Sequence, residues 1–378
     1  MRIGTSTFPQ AWRCGRAGGG RPRHPAQPCR ASLRGRRPGG AMRASFTGRQ
    51  RRRVLPSLLR TVATIACSAL VAAAPVRAAG QDYPARLLTF VVPFTAGAVP
   101  DVFVRAVANE ITRTTGIPAI VENKPGAGSM LAARTVAKAE PDGYTVLVTG
   151  NVVFTGNPHT FRKLPYDPVA DFTPVTTLAK GPMYLYVNPR KLPVADTGQL
   201  LQTLRAHPGK FNFAYTSITS RLPAELLQQS MGVRILGVPY RSGASALPDL
   251  VSGQVDMLFT DLSALPYVKS GQLKVIATTD LRRSPLTPDV PTFEEAGIKG
   301  MDIGFWLGAY LPAHAPSAAV TRLQQLLTGA TKAAEVRRVY QTWGTFEFLL
   351  SPAELAKFQA RQSTDWGRII RAAGIQPE

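Results

Sequence analysis

The polar residues with the spacing to do chemistry gather in short loops behind apolar runs. In Leu87–Asp101 the apolar, β-branched residues Leu87, Leu88, Phe90, Val91 and Val92 stop at Pro93. The chain then passes through Phe94, Thr95, Ala96, Gly97 and Ala98 to reach Asp101 at the head of a helical pattern. Strand, glycine loop, helix is the order that builds an open α/β sheet. Such sheets bind small ligands outside the carboxyl ends of their strands, where the first turn of the next helix turns unpaired N–H groups toward an anion. The chemistry predicted for this loop is therefore anion capture by the main chain. Loops with the same placing are read at Gly150–Pro158, at Thr216–Arg221 behind the strand Asn212–Tyr215, and at Pro239–Gly243.

Catalysis finds little support. His159, His207 and His314 are far apart and lack metal-ligand spacing, and no GxSxG, SxxK or HExxH pattern occurs. Gly126-Ala127-Gly128 lacks the GxxxxGK[ST] spacing of a phosphate loop and reads as tight packing against a sheet. No catalytic residue, no metal and no cofactor is expected, although a Ser–His pair formed only in three dimensions stays open.

The elements that position these loops alternate between strand and helix patterns. Strands are read at Ile117–Val121, Tyr144–Val148, Val175–Leu178, Met183–Val187, Ile235–Val238, Val255–Phe259, Leu273–Thr278 and Phe305–Leu311. Asp101 is read as a helix cap, Ser129 caps a helix through Ala139, Asp196 caps one to Ala206, and the tail from Pro316 is helical. Ser351, Pro352 and Glu354 form the signature of a capping box.

Charge and cysteine divide the chain. Of its 45 basic residues sixteen, all arginine, precede Ala79, where no acidic residue occurs; the remaining 29 face 23 acidic ones, so Ala79–Glu378 carries only +6 of the total +22. The basic excess belongs to a leader, and a nucleic-acid partner is not expected. Residues 1–41 are rich in Arg, Gly and Pro and read as disorder or translated upstream sequence, with Met42 as the start. Basic Arg49–Arg53, an apolar run from Val54 to Ala74 and the small-residue end Val76-Arg77-Ala78 form an export signal cut after Ala78, rather than a retained anchor. Cys14, Cys29 and Cys67 all precede the cut, so the mature chain has no thiol.

Seven stretches in order carry a resemblance to a known family: VVPF (91–94), VENKPGAGS (121–129), PDGYTVLV (141–148), KLPYDPVADFTPV (163–175), VPYRSGASALPDLVSGQVDMLF (238–259), RSPLTPDVPTFEEAG (283–297) and WGRIIRAAGI (366–375). Together they resemble the periplasmic solute receptors of tripartite tricarboxylate transporters, the Bug receptors, over about Tyr83–Ile375. The resemblance implies an α/β, two-domain periplasmic binding protein of type II-like architecture, each domain a mixed sheet flanked by helices, joined by two crossing strands. The crossings would be Met183–Val187 and Phe305–Leu311. The first domain would be 79–184 with 304–378, the second 185–303. Such a protein would be a periplasmic monomer that closes on a small carboxylate and delivers it to the membrane permease subunits. A receptor for a sensor kinase and an enzyme on the same fold are the alternatives.

What the resemblance implies for the site is a carboxylate held largely by main-chain N–H groups and small hydroxyls. Carried over, the first loop is Phe94, Thr95, Ala96, Gly97, Ala98 and on to Asp101. The second contains Asn151 and Phe154, and the third Thr216, Ser217, Thr219, Ser220 and Arg221, with Tyr240 and Asp261 nearby. Ala98, Val99 and Pro100 depart from the family's usual proline, glycine and hydroxyl residues, and the third loop is about two residues short. Arg221 is read either as a forked partner for the carboxylate or as a solvated residue. Asp101 is read as a cap or as a partner for a ligand ammonium, and Asp261 as a ligand contact or a cap. Phe154, Tyr240 and Trp306 are read as cleft walls or as core.

Overall fold

The computed structural model describes residues 83–378; the leader, the start at Met42 and the cut after Ala78 lie outside the described residues. In chain order the elements are β1 Leu88–Val92, α1 Val99–Thr115, β2 Ala119–Asn123, α2 Met130–Ala137, β3 Thr145–Gly150, α3 Asn157–Thr160, β4 Phe172–Pro182 and β5 Tyr184–Val187. They continue with α4 Thr197–Ala206, β6 Asn212–Tyr215, α5 Ile218–Met231, β7 Leu236–Pro239, α6 Gly243–Ser252, β8 Met257–Thr260, α7 Leu265–Lys269 and β9 Lys274–Thr278. The last are β10 Gly304–Pro312, α8 Ser317–Ala330, α9 Ala334–Trp343, β11 Phe346–Glu347 and α10 Pro352–Ala372. Among the described residues no helix is long and apolar enough to cross a membrane.

Two mixed sheets result. The first has the order β11-β4-β10-β3-β1-β2 and the second β7-β6-β8-β5-β9. In the first, β1 pairs in parallel with β2 and β3, while β10 runs antiparallel to β3 and β4. In the second, β6 is parallel to β7 and β8, and β5 antiparallel to β8 and β9. Only Met183 separates β4 of the first sheet from β5 of the second. The return runs from β9 to β10, and Thr279 ties the two crossings together. Its N–H donates to Met183 O at 2.8 Å and its hydroxyl to Ile303 O at 2.7 Å. At Gly304, where the returning strand meets the outgoing one, a Cβ would lie 2.2 Å from Gly181 O.

Each sheet is buried on both faces, as a sheet built on parallel strands requires. One core of the first lobe packs Phe90, Val148 and Leu307 against Phe103, Leu323 and Tyr340 of α1, α8 and α9. Its other face sets Leu147, Phe154 and Tyr310 against α2 and α10. The second lobe has Phe213, Leu227 and Phe259 on one side and Tyr186, Leu250 and Leu258 on the other. A further cluster of Leu222, Ile303, Trp366 and Ile370 packs α5 of the second lobe on α10 of the first.

Three of the sequence-read boundaries that the structure moves bear on the loops at the strand ends. Helix α1 begins at Val99, capped by extended Ala98, because Pro100 in the first turn removes only an N–H that has no helical partner. Asp101 is thus inside the helix rather than its cap. Gly150–Pro158, read as a loop, is a single π turn at Val152–Gly156 running into α3; Thr155 Oγ1 donates to Asn151 O at 2.6 Å and fastens it. The polar stretch Thr216–Arg221 is the start of α5, with Ser217 as the N-cap. Its hydroxyl residues look like a loop because capping residues and loop residues are the same residue types. The capping box at Ser351 forms as read: Ser351 N and Oγ both donate to Glu354 Oε2, and Glu354 N donates to Ser351 Oγ.

Candidate ligand-binding site

The carboxyl ends of β1 and β3 in one lobe face those of β6, β7 and β8 in the other. Between them lies a cavity of about 240 Å³. Each strand leads into a helical start that contributes to the wall: Pro100 of α1, Asn151 and Val152 of the π turn, Ser217 and Thr219 of α5, Gly243 of α6, and Asp261 before the 3₁₀ turn Leu262–Ala264. First-turn N–H groups lack i−4 carbonyl partners, so the topology aims unpaired donors and the positive ends of helix dipoles at one space. In α5 the first helical bond is made by Arg221 N to Ser217 O at 3.1 Å and the Ser217 hydroxyl takes the N–H of Ser220 in a capping box, which leaves Ile218 and Thr219 ahead of it.

Side chains stiffen these starts. Ser220 Oγ accepts from Thr216 N at 2.9 Å and from Ser217 N at 3.3 Å. Asn151, buried, spans the cleft: its Nδ2 donates to Gly304 O at 2.9 Å, and its Oδ1 accepts from Thr219 Oγ1 of the other lobe at 3.2 Å. A Cβ at neighbouring Gly150 would stand 2.2 Å from Trp306 O, so β3 and β10 approach there as only glycine allows. On the far wall Asp261 Oδ1 accepts from Ser263 N at 3.0 Å, and Oδ2 accepts from Trp343 Nε1 at 2.7 Å. Trp343 belongs to the first lobe and stacks on Phe305, with ring centroids 4.8 Å apart. Burial, and then the charge of Asp261, push the Tyr186 hydroxyl well above its ordinary range; that hydroxyl donates to Asp261 O at 3.1 Å.

A model of the tripartite tricarboxylate transporter family receptor matches residues 103–375. The chain belongs to this family. A UPF0065 protein of Bordetella pertussis is 31% identical over 325 residues, covering 85% of this chain and 99% of that one. The structure of the periplasmic binding protein BugD is 29% identical with a TM-score of 0.71, covering 78% of this chain and 100% of its own. Rpa4515 of R. palustris, solved with adipate, is 29% identical with a TM-score of 0.73, covering 79% and 100%. The two-sheet α/β architecture of this receptor is thus that of the periplasmic binding proteins.

The structure brings part of the sequence-read set to the cavity of this tripartite tricarboxylate transporter family receptor. Phe94, Asn151, Thr216, Ser217, Thr219, Ser220 and Asp261 line it. Thr95, Ala96 and Gly97 are exposed and lie outside its wall, as does Ala98. The first loop turns away because Asp101 holds it from within: the buried carboxylate accepts from Gly97 N, Arg105 Nε and Asn123 Nδ2 at 2.7–3.0 Å. Burial works against the charge of Asp101, but the bonds from Arg105, Asn123 and Gly97 outweigh it and hold the group below the usual carboxylate range. A lowered native value means stability present above the ordinary value near ~3.9 and lost as pH falls through the native one. Asp101→Asn should therefore lower the melting temperature most at pH 7. The mutant and native curves should converge below about pH 4; a gap that stays constant with pH would remove the charge from the account.

Three more residues stand elsewhere. Phe154 is core, 4.0 Å from the Tyr310 ring and edge-on to Phe172 at 5.4 Å. Tyr240 donates to Asp249 Oδ2 at 2.7 Å, and burial followed by that bond pushes its hydroxyl up to about 12. Arg221 lies over the Tyr215 ring and donates to Glu225 Oε1 at 2.8 Å, lining an adjoining hollow with Ile218 and Ile375. Successive helix residues point about 100° apart, so a helix beginning at Ile218 turns Ser220 inward and carries Arg221 round to Glu225 at i+4. Arg221→Ala is accordingly expected to change carboxylate affinity by less than about threefold in calorimetric titration, against at least roughly tenfold for a forked contact.

The wall also contains residues that loop reading misses: Met183, Leu258, Phe259, Phe305 and Trp343. The crossings bring Met183 and Phe305 there, β8 sets Leu258 and Phe259 just ahead of Asp261, and Trp343 comes from the end of α9. His159 Nε2 lies 3.0 Å from Ser363 Oγ in a separate hollow of the first lobe, where no carboxylate joins the pair among the described residues. Among those residues no group of His, Cys, Asp and Glu is placed to hold a metal ion.

Proposed function

We propose that this chain is an exported periplasmic solute-binding protein, not an enzyme, that captures a small organic carboxylate and delivers it to the permease of a tripartite tricarboxylate-type transporter. The observation that carries this reading is the convergence of helix starts from both lobes on one cavity. Backbone donors are pre-aimed and keep their protons at every physiological pH, so they recognise a carboxylate without a basic partner. The adipate held by a structural neighbour of the same architecture supports a carboxylate as cargo.

The first domain is 79–184 with 304–378 and the second 185–303, hinged where β4 passes into β5 and where the chain returns into β10. The contact set is Phe94, Asn151, Thr216, Ser217, Thr219, Ser220 and Asp261, with Phe305 and Trp343 added. An export signal ending at Ala78 fits this role. A thermal-shift screen of the purified receptor against mono-, di- and tricarboxylates tests the reading. A ligand at about a hundredfold its Kd should raise the melting temperature by ~4 °C. A screen in which no acid moves the transition sinks it.

A further inference from the structure

The charge census of the cavity narrows the cargo. Of the side chains in its wall, Asp261 is the one that bears a charge; no lysine, arginine or histidine lines it among the described residues. Each oxygen of Asp261 accepts one donor, Ser263 N at 3.0 Å and Trp343 Nε1 at 2.7 Å, which leaves each a further lone pair beside the cavity. Because the indole comes from the opposite lobe, the acid is fixed in place whenever the lobes meet. The neutral donors, namely the first turn of α5 and the small hydroxyls around it, suit one carboxylate.

A second carboxylate, at the far end of the body from the first, would stand beside Asp261, with no lysine, arginine or histidine in the wall to offset that charge, and like charges there repel. The apolar part of the wall is largely aromatic, with Phe94, Phe259, Phe305 and Trp343 beside Met183. At about 240 Å³ the cavity lies at the small end of ligand pockets and suits a compact molecule.

The geometry points to a small monocarboxylate with a ring-sized apolar body and one hydrogen-bond donor, a hydroxyl or an ammonium, turned to Asp261, with di- and tricarboxylates disfavoured. This rests on the carboxylate-receptor reading and deepens it. The carboxylate sits at the helix starts, the apolar body lies among the aromatic side chains, and Asp261 accepts from the donor. Asp261 is then the residue that sets specificity, since it rewards a donor and repels an anion at the same place.

Calorimetric titration of the purified protein with four probes tests this: phenylalanine and 4-hydroxybenzoate, which carry a donor, benzoate, which carries none, and adipate, which carries a second carboxylate. At least one donor-bearing probe should bind tenfold or more tighter than benzoate, and adipate weakest of the four. In Asp261→Asn the ratio between that probe and benzoate should fall toward one, and adipate should gain relative to benzoate. The native ratios stand by themselves if the variant does not fold. Adipate binding tighter than every monocarboxylate, benzoate matching both donor-bearing probes, or ratios unmoved in a folded Asp261→Asn would overturn the inference and leave the receptor reading intact. Silence from all four probes and from the wider acid screen would take both down.

Discussion

Gly156→Val should weaken carboxylate capture ~10–100-fold while leaving the ligand-free melting temperature within about 2 °C of the native value. Gly156 has φ −95° and ψ −61°, a conformation open to any residue, so backbone strain does not enter. What forbids a side chain is the opposite lobe: a Cβ would stand 2.4 Å from Ile218 Cγ2. Ile218 is the first residue of α5, and its β-branched side chain is stiff at χ1. The clash exists only while the lobes are together and vanishes when they part. Overpacking of this kind costs about 1–3 kcal/mol, here set against the closed state alone, which converts to ~10–100-fold in apparent affinity. Small-angle scattering at saturating ligand should show a more extended particle than the native complex. An unchanged affinity would mean that the π turn and α5 do not meet during capture. Gly344 is a poorer probe of the same closure, because its φ of +74° adds strain to the overlap with Leu262.

What was legible in the sequence follows from the range over which each feature is decided. Strand β6 at Asn212–Tyr215 and the box at Ser351 were readable because periodicity and capping are settled within a few residues. The family's seven stretches carried the architecture. The cavity wall was only half readable. Sequence shows that Leu87–Asp101 is strand, loop and helix, but not that Asp101 is buried and takes up Gly97 N–H, which leaves Thr95 outside the wall. Nor does it show where α5 starts, and one residue of helix decides whether Ser220 or Arg221 faces the cavity. Phe305 and Trp343 stand far along the chain from the first loop, and only the return through β10 sets them beside it. A contact made by topology leaves no mark in local spacing.

The same return makes Trp343→Phe the more exacting test of how the lobes hold together. The indole closes α9, stacks on Phe305 with 24° between the ring planes, and donates across the cleft to Asp261. A phenyl ring keeps the stacking and most of the volume and loses only the donor. A hydrogen bond to a charged acceptor contributes about 1.5–3 kcal/mol, and in the open form water takes over both partners. The loss therefore falls on closure, and affinity should drop ~10–100-fold with little change in the melting temperature of the free protein. Asp261→Asn removes the charge from the other end of the same bond. If that bond is the latch, the double variant should lose hardly more than the worse single one, because the second change removes what the first already broke. Two losses that simply add would show that Trp343 and Asp261 act separately, Trp343 through its packing on Phe305 and Asp261 through the ligand.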